Sequence, residues 1–410
     1  MGLYCGIDWA TDHHEVAVVD DDGRVVARGR VTNDAAGFAY LLTLLAEAGD
    51  TAEHPIPVGI ETDRGLWVAA LRETGRVIYP INPLAASRYR ARYAVSGAKS
   101  DTTDAVLLAN ILRTDRDAHR PLPADTELAQ AIKVLARAQQ DAVWARQQIG
   151  NQIRDLLNDF YPAAVMAFAE LPSGGLARPD ARTILAAAPT PAEAARLTPA
   201  RLRRLLVKAG RQRNLDRDID RLRAIFTDTY LHQPPIVENA MGIQLSALLR
   251  QFNAACAAAD ELAKAASAHF DQHPDAEIIT SFPGLGKLAG ARVLAEIGDD
   301  RARFADARGL KAFAGSAPIT RASGKKTVVL HRHIKNRRLA AVGPIWALAS
   351  MRHSLGARRH FDARRAAGDW NQQAQRHLFN RLLGQLHHCV QTGQLYDEHR
   401  AFPPPLSRAA

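Results

Sequence analysis

The chain has 410 residues, 47% of them hydrophobic, too many for one ordinary domain, so two or three units with a sizeable core are expected. No apolar run reaches about 18 residues, which excludes a membrane-spanning helix, and Cys5, Cys256 and Cys389 show no CxxC spacing, which excludes a disulfide framework and a zinc site. A cytoplasmic protein with reduced thiols follows.

The net charge of +10 is unevenly spread: residues 301–410 carry 20 Lys and Arg against Asp306, Asp362, Asp369, Asp397 and Glu398, which leaves the preceding part net acidic. A basic end suits a polyanion and an acidic end can hold metal, although a solvated basic face is the plainer alternative.

In chain order, LYCGIDWA, HEVAVVD and GRVVARGRV are three β-prone runs, with DDDG supplying a hairpin turn between the last two. Then come a helical stretch (FAYLLTLLAEAG), a strand (PVGIE), a helix (LWVAALRETG), a strand (RVIYPIN) and the SDTTDAVLLANIL helix. Three meandering strands followed by αβαβα is the order of a ribonuclease-H-like α/β layer, in which the first and fourth strands lie side by side. That adjacency predicts that Asp8, near the end of the first strand, meets Glu61, at the end of PVGIE. Asp101 and Asp104, three apart at a helix start, project from one helical face.

Four carboxylates so placed suit Mg²⁺ or Mn²⁺, hard ions that take oxygen ligands and keep positions open for phosphate. Carboxylates at helix starts also serve as N-caps or dipole partners, the competing reading for Asp101 and Asp104. Asp12, Asp34 and Asp63 are nearby competitors, Asp63 the most plausible fifth ligand; Asp20 to Asp22 read as turn residues.

Residues 126–160 contain no Pro and space Leu128, Ile132, Leu135, Ala142, Ile149, Ile153, Leu156 and Phe160 in alternating fours and threes, a coiled-coil-like seam interrupted by Gln139 and Arg146 and ended by Pro162. Residues 163–200 are rich in Ala, Pro and Gly, with LPSGGLARPD reading as a loop, and are followed by the short basic helix RLRRLLVKAGRQR. A second long helix runs from about Val237 to Phe270. Together the long segments suggest an antiparallel helical arm for dimerisation or spacing, or equally an intramolecular bundle. The expected division is 1–120, an α/β domain; 121–272, a helical region with an inserted basic loop; and 273–410, a mostly helical basic domain.

The last region opens at ITSFPGLGKLAGARVLAEIGD, a helix-hairpin-helix-like unit whose turn residues Gly284, Gly286 and Lys287 can approach a phosphate. In TRASGKK, Ser323 is flanked by Arg321, Lys325 and Lys326, and Gly324 permits a bend that exposes the hydroxyl. A serine attacking phosphorus needs its developing charge neutralised by such cations, yet a Ser–Gly turn in a basic loop more often only binds an anion. Arg332, Lys335, Arg337 and Arg338 extend the basic run, and His331 and His333 within it read as phosphate-contacting or solvated rather than as metal ligands. Two basic helices and a Pro-rich tail close the chain.

With these motifs in order, the sequence resembles insertion-sequence transposases that share an N-terminal DEDD domain of RuvC type with Piv-like DNA invertases. The resemblance rests on GIDWATDHHEVAVVD, GIETDRG, KSDTTDAVLLANIL, SFPGLGKLAGARVLAEIGD, FADARGLKAFAGSAPITRASGKK and WNQQAQRHLFNRLLGQL, nearly the whole chain. It implies that Asp8, Glu61, Asp101 and Asp104 are the metal-binding tetrad and Ser323 the nucleophile of a recombinase that cuts and rejoins double-stranded DNA through a phosphoserine link at a composite, Mg²⁺-dependent site. It also implies a homo-oligomer and, as in some relatives, a structured bridge RNA that pairs with donor and target. Two departures stand out. Ser316 replaces the usual aliphatic residue in AGSAP, adding a second serine, and HIKNRR replaces a GNKRLRR-like run while keeping its charge. Open alternatives are a metal-dependent nuclease or junction resolvase using activated water, and a silent nucleic-acid-binding protein. An ATP-binding fold of the sugar-kinase and actin type would want a Gly-rich phosphate loop beside Asp8, and WATDHHE has no Gly.

Overall fold

The structure, a computed structural model, describes residues 2–93, 101–169, 175–324 and 326–403. It forms two compact units, residues 1–124 and 125–410.

The first unit is built on β1 (Leu3–Asp8), β2 (His13–Asp20), β3 (Val25–Thr32), α1 (Ala35–Glu47), β4 (Val58–Ile60), α2 (Leu66–Glu73), β5 (Ile78–Pro80), α3 (Pro83–Tyr93) and α4 (Asp101–Asp115). The sheet order is β3-β2-β1-β4-β5, antiparallel through the hairpins and parallel across β1, β4 and β5. This is the mixed α/β arrangement expected of a ribonuclease-H-like layer, with β1 beside β4. The alternation along β1 sends Cys5 and Ile7 to one face, where Val16, Val18 and the apolar sides of α1 and α2 bury them. Tyr4, Gly6 and Asp8 face the other way, towards α4. A Cβ on Gly6 would stand 2.1 Å from the Ala105 carbonyl oxygen, so only glycine allows α4 to lie this close to β1. Helix α3 was not legible in the sequence: RYRAR has no apolar period, and its Tyr89 and Ala86 bury against Leu108 and Leu112 of α4 all the same.

The second unit begins with α5 (Glu127–Phe160), whose N-cap Thr126 accepts from the Ala129 N–H and which stops at Tyr161 and Pro162, where a proline ring cannot continue the ladder. Its partner is α11 (Pro235–Phe270). Gln139, an interruption in the expected seam, is buried; its amide donates to the Ala259 carbonyl of α11 at 3.5 Å and its oxygen accepts from Arg292. The apolar residues of α5 serve two separate cores: Ile132 joins the C-terminal one, and Ile153, Leu156, Leu157 and Phe160 join a middle one.

Between α5 and α11 the Ala-, Pro- and Gly-rich stretch is helical over much of its described length; of the expected loop LPSGGLARPD, residues 171–174 lie outside the described residues and Pro179 and Asp180 already begin a helix. Residues 161–234 hold α6 (Pro162–Ala164), α7 (Pro179–Ala187), α8 (Pro191–Ala195), α9 (Pro199–Lys208) and α10 (Leu215–Phe226). Each of α7, α8 and α9 opens on a proline, which is preorganised for a first helical turn, and α8 carries a full Thr190–Glu193 capping box. The prolines mark helix starts here, not breaks. Ile184, Leu202, Leu206, Ile219 and Phe226 bury a shared core.

The remainder comprises α12 (Ala276–Thr280), α13 (Lys287–Ile297), α14 (Ala307–Phe313), β6 (Ile319–Ser323), β7 (Lys326–Leu330), α15 (Arg337–His353), α16 (Leu355–Ala366), α17 (Asn371–Thr392) and α18 (Glu398–Ala401). Phe282, Leu294, Trp346, Phe379 and Leu382 lie at its centre, and the Trp346 indole N–H donates to the Pro283 carbonyl at 3.1 Å. Among the described residues no helix is long and apolar enough to cross a membrane.

Candidate active site and nucleic-acid interface

The register of the first sheet places two carboxylates together. Gly6 pairs with Gly59 and Ile7 with Ile60 in parallel, so Asp8 and Glu61 are the next step on adjacent strands. Both are two residues beyond glycines that face α4, so both side chains emerge on the α4 side. Helix α4 runs against β1: Tyr4 borders Leu112 to Ala118, whereas Gly6 meets Ala105 and Ala109. Its N-terminal turn therefore lies towards Asp8, bringing Asp104 to the same end of the sheet. Asp101 begins α4, and its side chain lies outside the described residues.

Asp104 is only 4% exposed, and its Oδ1 accepts from Arg90 Nη2 of α3 at 2.5 Å. The Nε of the same guanidinium is buried with no partner among the described residues, an incompletely satisfied pairing. Arg90 was missed in the sequence because α3 itself was missed. Glu15 was missed too. It stands directly opposite Asp8 across the β1–β2 ladder, on the same face, and Arg30 Nε neutralises it at 2.5 Å from the next strand. Counting back through the hairpin from Asp8 would have found it. Asp63, the expected competitor, is exposed in the loop after β4.

The turn after Asp8 is braced by a buried His14. The Ala10 N–H donates to His14 Nδ1 at 3.2 Å, which leaves the proton on Nε2 to donate to Asn33 Oδ1 at 3.3 Å. Burial holds this imidazole below its ordinary pKa, in keeping with a neutral ring. Trp9, beside Asp8, stacks on it with centroids 6.2 Å apart.

Asp8, Glu61 and Asp104 are hard oxygen donors on one face at one end of a sheet, the donor chemistry a divalent ion takes. In the arrangement at hand Arg90 supplies the positive charge at Asp104, and among the described residues no three His, Cys, Asp or Glu side chains are gathered closely enough to hold an ion.

In the second unit, Ser323 lies at the end of β6 in a two-stranded hairpin and pairs with Lys326 across a two-residue turn. Gly324 has φ 56°, the left-handed conformation such a turn requires. The described hairpin residues other than Ile319 are exposed, so Ser323 is presented at a tip with Arg321 and Lys326 beside it; Lys325 lies outside the described residues. Ser316 is placed differently: it is 4% exposed, its hydroxyl donates to the Lys311 carbonyl at 3.2 Å, and it accepts from the Asn380 amide at 3.0 Å.

The remaining basic candidates divide. Gly286 and Lys287 are exposed at the start of α13, Lys287 paired to Asp271 at 2.5 Å, while Gly284 packs under Ala349 and Ser350 of α15. Arg332 Nε donates to the Ala317 carbonyl at 3.3 Å and Arg337 is exposed. Arg338 is held within the fold, paired to both oxygens of Asp141, bonded to the Arg137 carbonyl and stacked 5.1 Å over Trp144.

A ribonuclease-H-like layer with carboxylates at one end, in one chain with a basic helical unit, defines an enzyme acting on nucleic acid. Residues 5–162 match the DEDD transposase model of IS110 type, and residues 276–362 match the transposase IS116/IS110/IS902 family. The chain is 61% identical over its whole length, and 99% of the relative's, to the mini-circle transposase named for IS117 of Streptomyces coelicolor. It is 28% identical over its whole length, and 98% of the relative's, to the 44.8 kDa protein of insertion element IS116 of Streptomyces clavuligerus. It is 27% identical over its whole length, and 99% of the relative's, to the 42 kDa protein of insertion element IS900 of Mycobacterium paratuberculosis. The chain belongs to the IS110 family of DEDD-type transposases, enzymes acting on DNA.

Proposed function

We propose that this transposase cuts and rejoins DNA with Ser323 as nucleophile, while Asp8, Glu61, Asp101 and Asp104 hold Mg²⁺ or Mn²⁺. The observation that carries this reading is the position of Ser323: an exposed hydroxyl at the tip of a hairpin, between cationic side chains, where a phosphodiester can approach from solvent. In the step, a bond forms between Ser323 Oγ and phosphorus as the bond from phosphorus to a deoxyribose oxygen breaks. The serine proton reaches the departing hydroxyl by way of solvent. Reversal by a deoxyribose hydroxyl restores the serine and joins strands without an outside energy source. Arg321 and Lys326 offset charge on the phosphate oxygens. The metal, when bound, would add further neutralisation of phosphate oxygens; the reading that Asp8, Glu61 and Asp104 would hold it is supported by the β1–β4 register and by the close approach of α4 to Gly6.

Gly286, Lys287, Arg321, Lys325, Lys326, Arg332, Lys335 and Arg337 are the proposed nucleic-acid contacts, Gly286 and Lys287 as part of a helix-hairpin-helix-like turn. Arg338 and Gly284 would act by shaping that surface. A bridge RNA pairing with donor and target, and an oligomeric enzyme, belong to the same proposal, tested by sequencing the nucleic acid that co-purifies with the protein. For the chemistry, denatured reaction mixtures should contain protein covalently joined to DNA, an adduct absent in Ser323→Ala. Cleavage by Ser323→Ala at the wild-type rate would instead assign attack to water and leave Ser323 a phosphate ligand.

A further inference from the structure

We infer that a cavity between the β7–α15 segment and α17 receives an unpaired nucleotide, its phosphate on Lys335 and Arg376 and its base against the amide and ring side chains behind them. The inference rests on the reading of residues 125–410 as nucleic-acid-binding and adds a site to it. The cavity is about 320 Å³, with His331, Lys335, Gln372, Gln375, Arg376 and Phe379 on its walls. That is the range of pockets that take a nucleotide-sized ligand, and a lone phosphate would fill only a part of it.

The charge at its mouth is unbalanced. Lys335 Nζ lies 2.9 Å from His331 Nε2, and Arg376 Nη1 lies 3.2 Å from His331 Nδ1. Lysine and arginine only donate, and a neutral imidazole accepts at one nitrogen alone, so one of the two cations faces an N–H. Neither Lys335 nor Arg376 forms an ion pair with a carboxylate among the described residues. Partial desolvation, with Lys335, Arg376 and His333 beside it, keeps His331 below its ordinary pKa, in keeping with a neutral ring that adds no third positive charge to the mouth. An anion between Lys335 and Arg376 would satisfy all three.

The cluster is held in place. The Asn336 N–H donates to the Phe313 carbonyl at 2.8 Å and its amide to Glu296 at 2.6 Å, fixing the segment that carries Lys335. Arg376 comes from a regular turn of α17, one turn before Asn380, which anchors Ser316 behind the cavity. Gln372 and Gln375 offer both donor and acceptor to a base edge, and the imidazoles of His331 and His333 offer ring faces to an unstacked base. A base inside a duplex cannot reach such a recess without leaving its stack.

The test uses the full-length protein, without metal so that nothing is cut, and three probes of one sequence: a short duplex, the duplex with one bulged nucleotide, and the single strand. Wild-type binding to the plain duplex checks the parent reading by itself. Arg376→Gln is expected to weaken binding to the bulged and single-stranded probes about tenfold and to the plain duplex far less, with Arg376→Lys intermediate. In the wild type, a 5-iodouracil at the bulge should crosslink to peptides covering 331–335 or 372–379, a readout that does not depend on any variant folding. An equal loss for bulged and plain duplex, or crosslinks confined to other peptides, would overturn the pocket while leaving the nucleic-acid reading intact.

Discussion

Arg90 Nη2 lies 2.5 Å from Asp104 Oδ1, inside the layer between α3 and α4. The contact puts a protein cation at one of the carboxylates proposed to hold a metal ion. Replacing Arg90 with Gln leaves a nearly buried carboxylate uncompensated, which should cost roughly 3 kcal/mol of stability in metal-free buffer. If Asp104 is a metal ligand, Mg²⁺ should restore part of the lost melting temperature in Arg90→Gln and raise the wild type by less. A variant whose melting temperature ignores Mg²⁺ would make Asp104 a structural partner of Arg90 only.

Gly6 controls how near α4 can come to β1. A Cβ there would meet the Ala105 carbonyl at 2.1 Å and the Ala109 nitrogen at 2.5 Å, both backbone atoms that cannot rotate aside. Gly6→Ala should therefore destabilise the first unit by roughly 1–3 kcal/mol through overpacking and lower strand cleavage by shifting Asp104 relative to Asp8. Urea unfolding and a cleavage assay on the same preparation measure both effects. Unchanged unfolding would mean that α4 has room to retreat.

What the sequence made legible follows from where its patterns were local. Alternation and the DDDG turn were enough to lay out β1 to β5 and so to pair Asp8 with Glu61, because register in a buried sheet is set by period-two patterning. The α5 and α11 helices announced themselves by length and freedom from internal proline. Arg90 and Glu15 were hidden for a different reason: one depends on a helix without an apolar stripe, the other on a cross-strand partner whose importance appears only once strands are paired. Of the middle helices, α9 was legible as the basic run RLRRLLVKAGRQR, whereas α7 and α8 were hidden in an Ala-, Pro- and Gly-rich stretch in which Pro179 and Pro191 turn out to be first residues of helices. Ser323 was visible as a Ser–Gly bend, but the exposure of the hairpin that carries it was not, since TVVL reads equally well as a buried strand.

Stability in acid should depend on carboxylates of the second unit. Burial alone would raise Glu398, but hydrogen bonds from the Tyr396 and Ser354 hydroxyls and the Gly356 N–H outweigh it and hold its pKa below the ordinary value. Asp299 is likewise lowered, burial being outweighed by the Thr126 hydroxyl and N–H and by His273. With folded pKa values below the unfolded ones, the unfolded chain binds protons first as pH falls. The stabilisation is complete well above the ordinary carboxyl value of about 4 and is lost as pH drops through the lowered values. Urea midpoints should fall steeply below about pH 4, and Glu398→Gln should be less stable at neutral pH with a shallower acid slope. A slope identical to wild type would remove Glu398 from this account.

Binding to duplex DNA should respond to salt through the hairpin that bears Ser323. Arg321 and Lys326 are exposed on β6 and β7 and flank the serine across the Ser323–Lys326 pair, so each is placed to meet one phosphate. Replacing either with Ala should weaken binding to all sequences alike and reduce the slope of log affinity against log salt by about 0.9, the counterion release of one phosphate contact. Because phosphates carry no sequence, target preference should be unaltered. Fluorescence anisotropy over a salt series on two unrelated duplexes measures slope and preference together. An unchanged slope would move the DNA away from the hairpin tip, and with it the phosphodiester that Ser323 is proposed to attack.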